Sequence, residues 1–440
     1  MPMRPLATAT LVSALLAPAV APRQARAQHE GHAVAGAATD SARRARWHVM
    51  AQVIPVVTRA ANTIGGADLT EGYLSQASAM ARGDMLSGHL RVEATLNAEG
   101  LTMARGELST GAFGEGYADR RHPHTYLHEL VVSGIGAIGP LTYSASAGRG
   151  FVPFGTDDPM MRPFEKYPIN HHLAQILERG LVIGAVRFGP AMLEGSLFSG
   201  EEPTSPSSLP RASRIGDSWS VRGTVLPMGG IELQGSYARL ASPEQPSGFG
   251  LDQRKRSVSG RLVSSTGSRY LLAEWARTVE WDRNRDVAVF GFESALVEGA
   301  VSLGPLGLAL RLEQTERPEE ERLADAFRTP RPAPDLAISG ITRWRAATVA
   351  VTLPSATLGP IRGYPFVEVA RLAAKPRSAT SVFRPDQFYS TNTPWMATAG
   401  VRLRYGLLHA RMGRYGAALP SDPPIRTLGV PQGTAVHDHH

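Results

Sequence analysis

Histidine is the first chemistry the sequence offers. Imidazoles stand at His29 and His32, at His122, His124 and His128, at His171 and His172, and at His437, His439 and His440. Neutral imidazole is a common ligand of divalent transition metals. The terminal set His29, His32, His437, His439 and His440 is therefore a candidate metal-handling site, and both ends fall on one side of a membrane if an even number of strands separates them. No cluster has the spacing of a zinc-binding helix or a calcium loop. Cys is absent, which removes disulfides, thiolate nucleophiles and Cys-ligated zinc. Ser87 beside His89 is the nearest approach to a hydrolase pair, and no Walker loop, H-E-x-x-H or G-x-S-x-G occurs. No catalytic residue and no cofactor is assigned, and hydrolysis is the least favoured activity.

The second kind of chemistry is electrostatic, and it depends on which face of an element each charge occupies. In 88–97 the apolar set Leu90, Val92, Ala94 and Leu96 alternates with Arg91, Glu93, Thr95 and Asn97. The same period of two sets Trp219, Val221 and Val225 against Arg222, and Ile231, Leu233 and Tyr237 against Glu232. It also sets Leu306, Leu308, Leu310 and Leu312 against Arg311 and Glu313, and Val401, Leu403 and Tyr405 against Arg402 and Arg404. Arg261, Glu194 and Glu274 join the polar set. Strands alternate this way and helices do not. If the apolar faces meet lipid, Arg91, Glu93, Arg222, Glu232, Arg261, Glu274, Arg311, Glu313, Arg402 and Arg404 line a pore and set its ion preference. Solvated cross-strand ion pairs on a soluble sheet are the ordinary alternative.

The connections between these strands separate a barrel from a sandwich. Tight turns at Gly139-Pro140, Gly189-Pro190, Gly229-Gly230, 266–268, Gly304-Pro305 and Gly359-Pro360 alternate with long polar stretches near 99–123, 150–177, 200–216, 241–253, 316–337 and 374–393. Short turns on one side and long loops on the other are what a transmembrane antiparallel β-barrel requires. Counting runs from Trp47 to Tyr405 predicts an all-β barrel of about 16 strands with both termini on the short-turn side. Segments 124–138, 178–189 and 286–303 are apolar on both faces and blur the count. Trp47, Trp219, Trp281, Trp344, Trp395, Tyr270 and Tyr405 are the expected interface girdles.

A chain of 440 residues with 42% hydrophobic and 19% charged residues is ordered and turn-rich. Its net charge of +7 is spread rather than clustered, so nucleic acid is not an expected partner. Arg4, the apolar run 6–21 and Ala25-Arg26-Ala27 read as a cleaved export signal over 1–27. The expected organisation continues with a flexible periplasmic segment 28–46, the barrel 47–415 and a Pro-rich, His-ending periplasmic tail 416–440. No later segment could cross a membrane as a helix.

The stretch Gly148-Arg149-Gly150-Phe151-Val152-Pro153-Phe154-Gly155 resembles the strand end that precedes a long loop in the phosphate-selective porin superfamily. The chain as a whole resembles the bacterial outer-membrane porin class. That resemblance implies an inward-folded loop over 151–177, where Asp157, Asp158, Arg162, Glu165, Lys166, His171 and His172 would meet permeating solutes first. Such porins end on an aromatic strand, whereas here Tyr415 is followed by a Pro-rich tail. The expected function is passive diffusion of small hydrophilic solutes, with modest anion preference, through a bacterial outer membrane. The expected partners are outer-membrane lipid, those solutes and the barrel-assembly machinery, with the oligomeric state open. A non-conducting binding or metal-handling barrel is the alternative.

Overall fold

Alternation along each strand dictates a sheet with one oily and one polar face, and the chain closes that sheet on itself. The computed structural model describes residues 46–63, 66–102, 124–156, 159–245, 247–264, 267–320, 338–406 and 411–418. The strands are β1 (Arg46–Ala61), β2 (Leu69–Met85), β3 (Leu90–Asn97), β4 (Leu127–Ile138), β5 (Leu141–Gly150), β6 (Arg179–Phe188), β7 (Ala191–Ser199), β8 (Ile215–Met228) and β9 (Ile231–Leu240). They continue as β10 (Asp252–Val263), β11 (Arg269–Asp282), β12 (Val287–Leu303), β13 (Leu306–Glu320), β14 (Ile338–Thr352), β15 (Ala356–Leu358), β16 (Ile361–Pro376) and β17 (Trp395–Gly406).

Both β14 and the short β15 pair with β16, so they form one wall strand interrupted at Pro354, whose missing N–H cannot join a ladder. The wall thus has 16 strands, all antiparallel. β1 pairs with β2 on one side and with β17 on the other, from Met50 opposite Gly406 to Ala61 opposite Trp395. Closure leaves no sheet edge exposed, the condition under which strands can cross lipid. No helix among the described residues is long and apolar enough to cross a membrane.

The tight turns follow from backbone chemistry. Gly139 takes a positive φ of 55°, which only glycine adopts without strain, and Pro140 fixes the next φ, as a two-residue hairpin with glycine first demands. The same Gly-Pro pair joins β6 to β7, β12 to β13 and β15 to β16. The opposite ends of the strands carry the long connections, except at 283–286, where β11 and β12 also meet tightly. Leu193, Leu197, Val221, Leu233, Val258, Leu308 and Val367 are exposed on the outer face, while their neighbours Glu194, Ser196, Arg222, Glu232, Ser257, Ala309 and Glu368 are buried inside.

Trp47 and Tyr405 at the short-turn end, and Trp219 and Trp395 at the long-loop end, are exposed as girdles should be. Trp344 and Tyr270 correct that expectation. Both point inward and are buried, Trp344 edge-on to Tyr389 of the 377–394 connection at 5.6 Å and Tyr270 bonded to Glu298 at 2.7 Å. An indole N–H or phenol O–H in hydrocarbon would lack a partner, and each finds one inside.

The last described strand, β17, ends at Gly406, and 407–410 lie outside the described residues. The expected export signal, 28–45 and 419–440 lie outside the described residues.

Candidate functional site: the barrel lumen

Two segments enter the lumen from opposite ends. The 151–178 connection after β5 folds inward from the long-loop side. Arg411–Ala418, following β17, reaches in from the short-turn side.

The inward loop is held by its backbone. Arg402 donates to the carbonyls of Pro163 and Phe164 at 3.4 and 3.1 Å, and Arg311 to that of Lys166 at 2.8 Å. Glu368 accepts the N–H groups of Glu165 and Lys166 at 2.8 and 3.3 Å, and Glu313 accepts that of Ile169 at 2.8 Å. Gly155 is pinned by Arg222 and Gln234 at its carbonyl and by the Ser236 hydroxyl at its N–H. Buried backbone groups need such partners, and here the charged wall supplies them. Side chains add to this: Arg162 lies 3.8 Å from Glu274 and 3.7 Å from Glu298, and the Lys166 ammonium bonds the Tyr73 hydroxyl.

The C-terminal segment is held by ion pairs. Arg414 donates to Glu194 at 3.2 Å, Glu232 at 3.0 Å, Thr224 at 3.0 Å and also Gln234. Arg411 forks onto the same Glu232. The Tyr415 hydroxyl donates to Glu129 at 2.6 Å and accepts the Phe151 N–H at 2.9 Å, so the two inserted segments meet. Between this segment and the wall, a cavity lined by Arg82, Glu93, Glu129, Arg411 and Tyr415 measures only about 20 Å³, room for one water.

Apolar contacts complete the filling. Val131, Leu181 and Ile183 on the inner faces of β4 and β6 pack on Phe154, Ile176 and Tyr415. Leu296 and Ala300 of β12 pack with Phe164 and Tyr270. These are the strands whose sequences are apolar on both faces: one face meets the outside and the other meets the inserts.

Arg91, Glu93, Arg222, Glu232, Arg261, Glu274, Arg311, Glu313, Arg402 and Arg404 all occupy the inner face. Arg91 pairs with Asp84 at 2.7 Å, Arg222 with Glu194 through two bonds of 2.6 Å, and Arg261 with Glu232 at 3.2 Å. Arg404 donates to Gln52 at 2.6 Å. Of the loop residues, Arg162, Glu165, Lys166 and His171 are buried between loop and wall and His172 is partly exposed. Asp157, Asp158, His29, His32, His437, His439 and His440 lie outside the described residues.

Sequence reading missed Arg411, Arg414 and Tyr415 as lumen residues, and it missed three wall carboxylates: Glu129, which accepts from Tyr415, Glu298, which faces Arg162, and Glu368, which accepts the loop N–H groups of Glu165 and Lys166. The available signal was the pair of arginines beyond the last alternating run, where an ordinary barrel has already ended.

One further cluster lies at the long-loop end. Glu178, just before β6, accepts from His128 Nδ1 at 2.5 Å and lies 3.7 Å from His124 Nδ1. Burial pushes the Glu178 carboxyl up, but the facing His128 and His124 outweigh it and hold the group below the usual carboxylate range.

A closed antiparallel barrel with an apolar exterior, aromatic girdles and a polar interior is the architecture of bacterial outer-membrane proteins, here with 16 strands. No family model and no curated protein matches the sequence. Among solved structures, an anion-selective porin from Comamonas acidovorans is similar at 12% identity over 83% of this chain and 100% of that one, with a TM-score of 0.49. OmpT of Vibrio cholerae in its trimer form is similar at 7% identity over 82% and 99%, with a TM-score of 0.47. OmpF of Salmonella typhi, in complex with daunomycin, is similar at 11% identity over 82% and 97%, with a TM-score of 0.46. At such identities and scores no solute, selectivity or assembly passes from them to this chain.

Proposed function

We propose that the chain is a porin-like outer-membrane channel for small hydrophilic solutes, closed in this conformation by the inward loop and Arg411–Ala418. The observation that supports it is the polarity of the junction between Arg411–Ala418 and the wall. Arg411 and Arg414 meet Glu194, Glu232, Thr224 and Gln234, all groups that water can satisfy when the segment leaves. The wall behind carries Ser144, Ser146, Ser196 and Ser220, so withdrawal exposes a hydrophilic path. Passage through it is diffusion, with no chemical step. Anion preference rests on Arg402 and Arg404, which hydrogen-bond to neutral carbonyl and amide oxygens rather than to carboxylates.

The packing of Phe154 and Phe164 into apolar clusters favours a second reading, a barrel that never conducts. Single-channel recording in planar bilayers separates the two. The channel reading expects rare, brief openings from the unaltered protein and frequent ones when Arg411 and Arg414 are both replaced by Ala. A folded barrel that stays silent in both forms establishes the non-conducting reading.

A further inference from the structure

Two histidine pairs that stand far apart in the sequence come together at the long-loop end of the lumen. His124 lies just before β4 and His128 at its second position, and His171 and His172 form the first turn of the short helix His171–Ala174 in the inward loop. The His124 ring stacks on His171 with centroids 5.5 Å apart, and His172 lies 4.9 Å from His171. On the other side, His128 lies 5.3 Å from His124 and bonds Glu178. Two donor sets result, His124 with His128 and Glu178, and His124 with His171 and His172. Within each set the ligand atoms lie within 4.8 Å of one another.

We propose that this cluster is a binding site for a divalent late first-row transition metal such as Zn²⁺ or Ni²⁺, with His124 as the shared ligand. Imidazole nitrogen with one carboxylate is the donor chemistry these ions select, whereas Ca²⁺ and Mg²⁺ need oxygen-rich shells. Four-coordinate zinc with ligands at about 2.0–2.1 Å places donors roughly 3.4 Å apart, so the side chains close in by about 1 Å on binding.

Three features support a built site. Glu178 is oriented by the Thr125 N–H at 2.8 Å and holds a left-handed φ of 59°, a conformation costly for a residue with a Cβ and typical of functional positions. His124, His128, His171 and Glu178 are all buried. A cavity of about 20 Å³, lined in part by His124, His172 and Glu178, has room for one ion or water. The cations nearby are hydrogen-bonded elsewhere, although Arg149 and Arg179 also face the Glu178 carboxylate electrostatically: Arg179 pairs with Glu202 at 3.0 Å, Arg149 donates to the Ser208 carbonyl, and Lys255 donates to the His172 carbonyl at 2.7 Å.

The test is calorimetric titration of the full-length, detergent-extracted barrel with ZnCl₂ and NiCl₂. Three further chains are titrated alongside: His124→Ala, His124→Gln, and a control in which His437, His439 and His440 are replaced by Ala. The expected result is one equivalent bound by the unaltered chain and by the tail control, with affinity at least about tenfold weaker in both His124 variants, whose heat-modifiable migration is unchanged. X-ray absorption of the zinc-loaded unaltered chain gives an independent reading should a variant misfold, and is expected to show two or more imidazoles on the bound ion in both the unaltered chain and the tail control. Binding that disappears with the tail histidines, or persists at full affinity without His124, overturns the site.

Discussion

Arg414 holds four acceptors at once, and its removal leaves them with unequal compensation. Glu194 keeps its two bonds to Arg222, and Glu232 keeps Arg411 and Arg261, but the Thr224 hydroxyl and the Gln234 Oε1 lose this donor inside a buried junction. Breaking one member of a buried charged set costs about 3 kcal/mol, or roughly a hundredfold in population. Arg414→Ala is therefore expected to raise chymotryptic cleavage at the buried Tyr415 by about that factor while the barrel itself stays heat-modifiable, since cleavage follows the population of the open form. Arg414→Lys keeps the charge and loses the fork, so it should fall between. Tyr415→Phe removes the hydroxyl that joins Glu129 to the Phe151 N–H, a loss of about 1–3 kcal/mol. Cleavage, now at the phenylalanine, should rise by a smaller factor than in Arg414→Ala. An Arg414→Ala chain cut no faster than the unaltered one would remove this segment from any role as a seal.

At the scale of elements, the inward loop depends on the backbone at Gly155. Its φ of 65° is left-handed, and a Cβ there would fall 1.8 Å from the Ala174 carbonyl oxygen. Gly155→Ala should thus displace the loop without preventing closure of the wall, whose strand-to-strand pairing does not include it. Larger conductance with unchanged heat-modifiable migration is the expected outcome, and an unaltered current would show that the loop does not limit passage. Trp344→Ala tests the 377–394 connection in the same spirit. Emptying this buried site costs about 3–5 kcal/mol and removes the edge-on contact that Trp344 makes with Tyr389, lowering the boiling temperature of the gel shift.

These elements also show what periodicity can and cannot reveal. Strands such as β8 and β13 were legible because water or a polar group meets one face and the apolar outside meets the other. β4, β6 and β12 were not, because Val131, Leu181 and Leu296 point inward onto Phe154, Tyr415 and Phe164. An apolar inner face is the mark of an insert, visible in the sequence only as a broken alternation. Trp344 and Tyr270 misled for the same reason, since an aromatic is equally at home in a girdle and against an inserted loop. The meeting of His124 with His171 had no local signal at all, because it depends on how the 151–178 connection folds back over β4.

Across the whole molecule, the inserts and the wall have complementary charge. Arg162, Lys166, Arg411 and Arg414 enter a lumen whose wall presents Glu194, Glu232, Glu274, Glu298, Glu313 and Glu368. Arg411 and Arg414 lie on the segment proposed to leave, whereas Arg402 and Arg404 belong to β17 and stay. Ion preference and openness are therefore separable. Replacing Arg411 and Arg414 with Ala removes charges that leave the pore with their segment, so it should raise conductance and leave the reversal potential of the open channel in a salt gradient nearly unchanged. Replacing Arg402 and Arg404 with Gln removes the same formal charge from the wall and should move the reversal potential toward cations. That shift should shrink as salt rises, because screening shortens the reach of lumen charge from about 10 Å at 0.1 M to about 3 Å at 1 M. If the β17 double variant keeps the reversal potential of the unaltered protein, Arg402 and Arg404 serve only to hold the loop carbonyls of Pro163 and Phe164, and the preference must arise elsewhere on the wall.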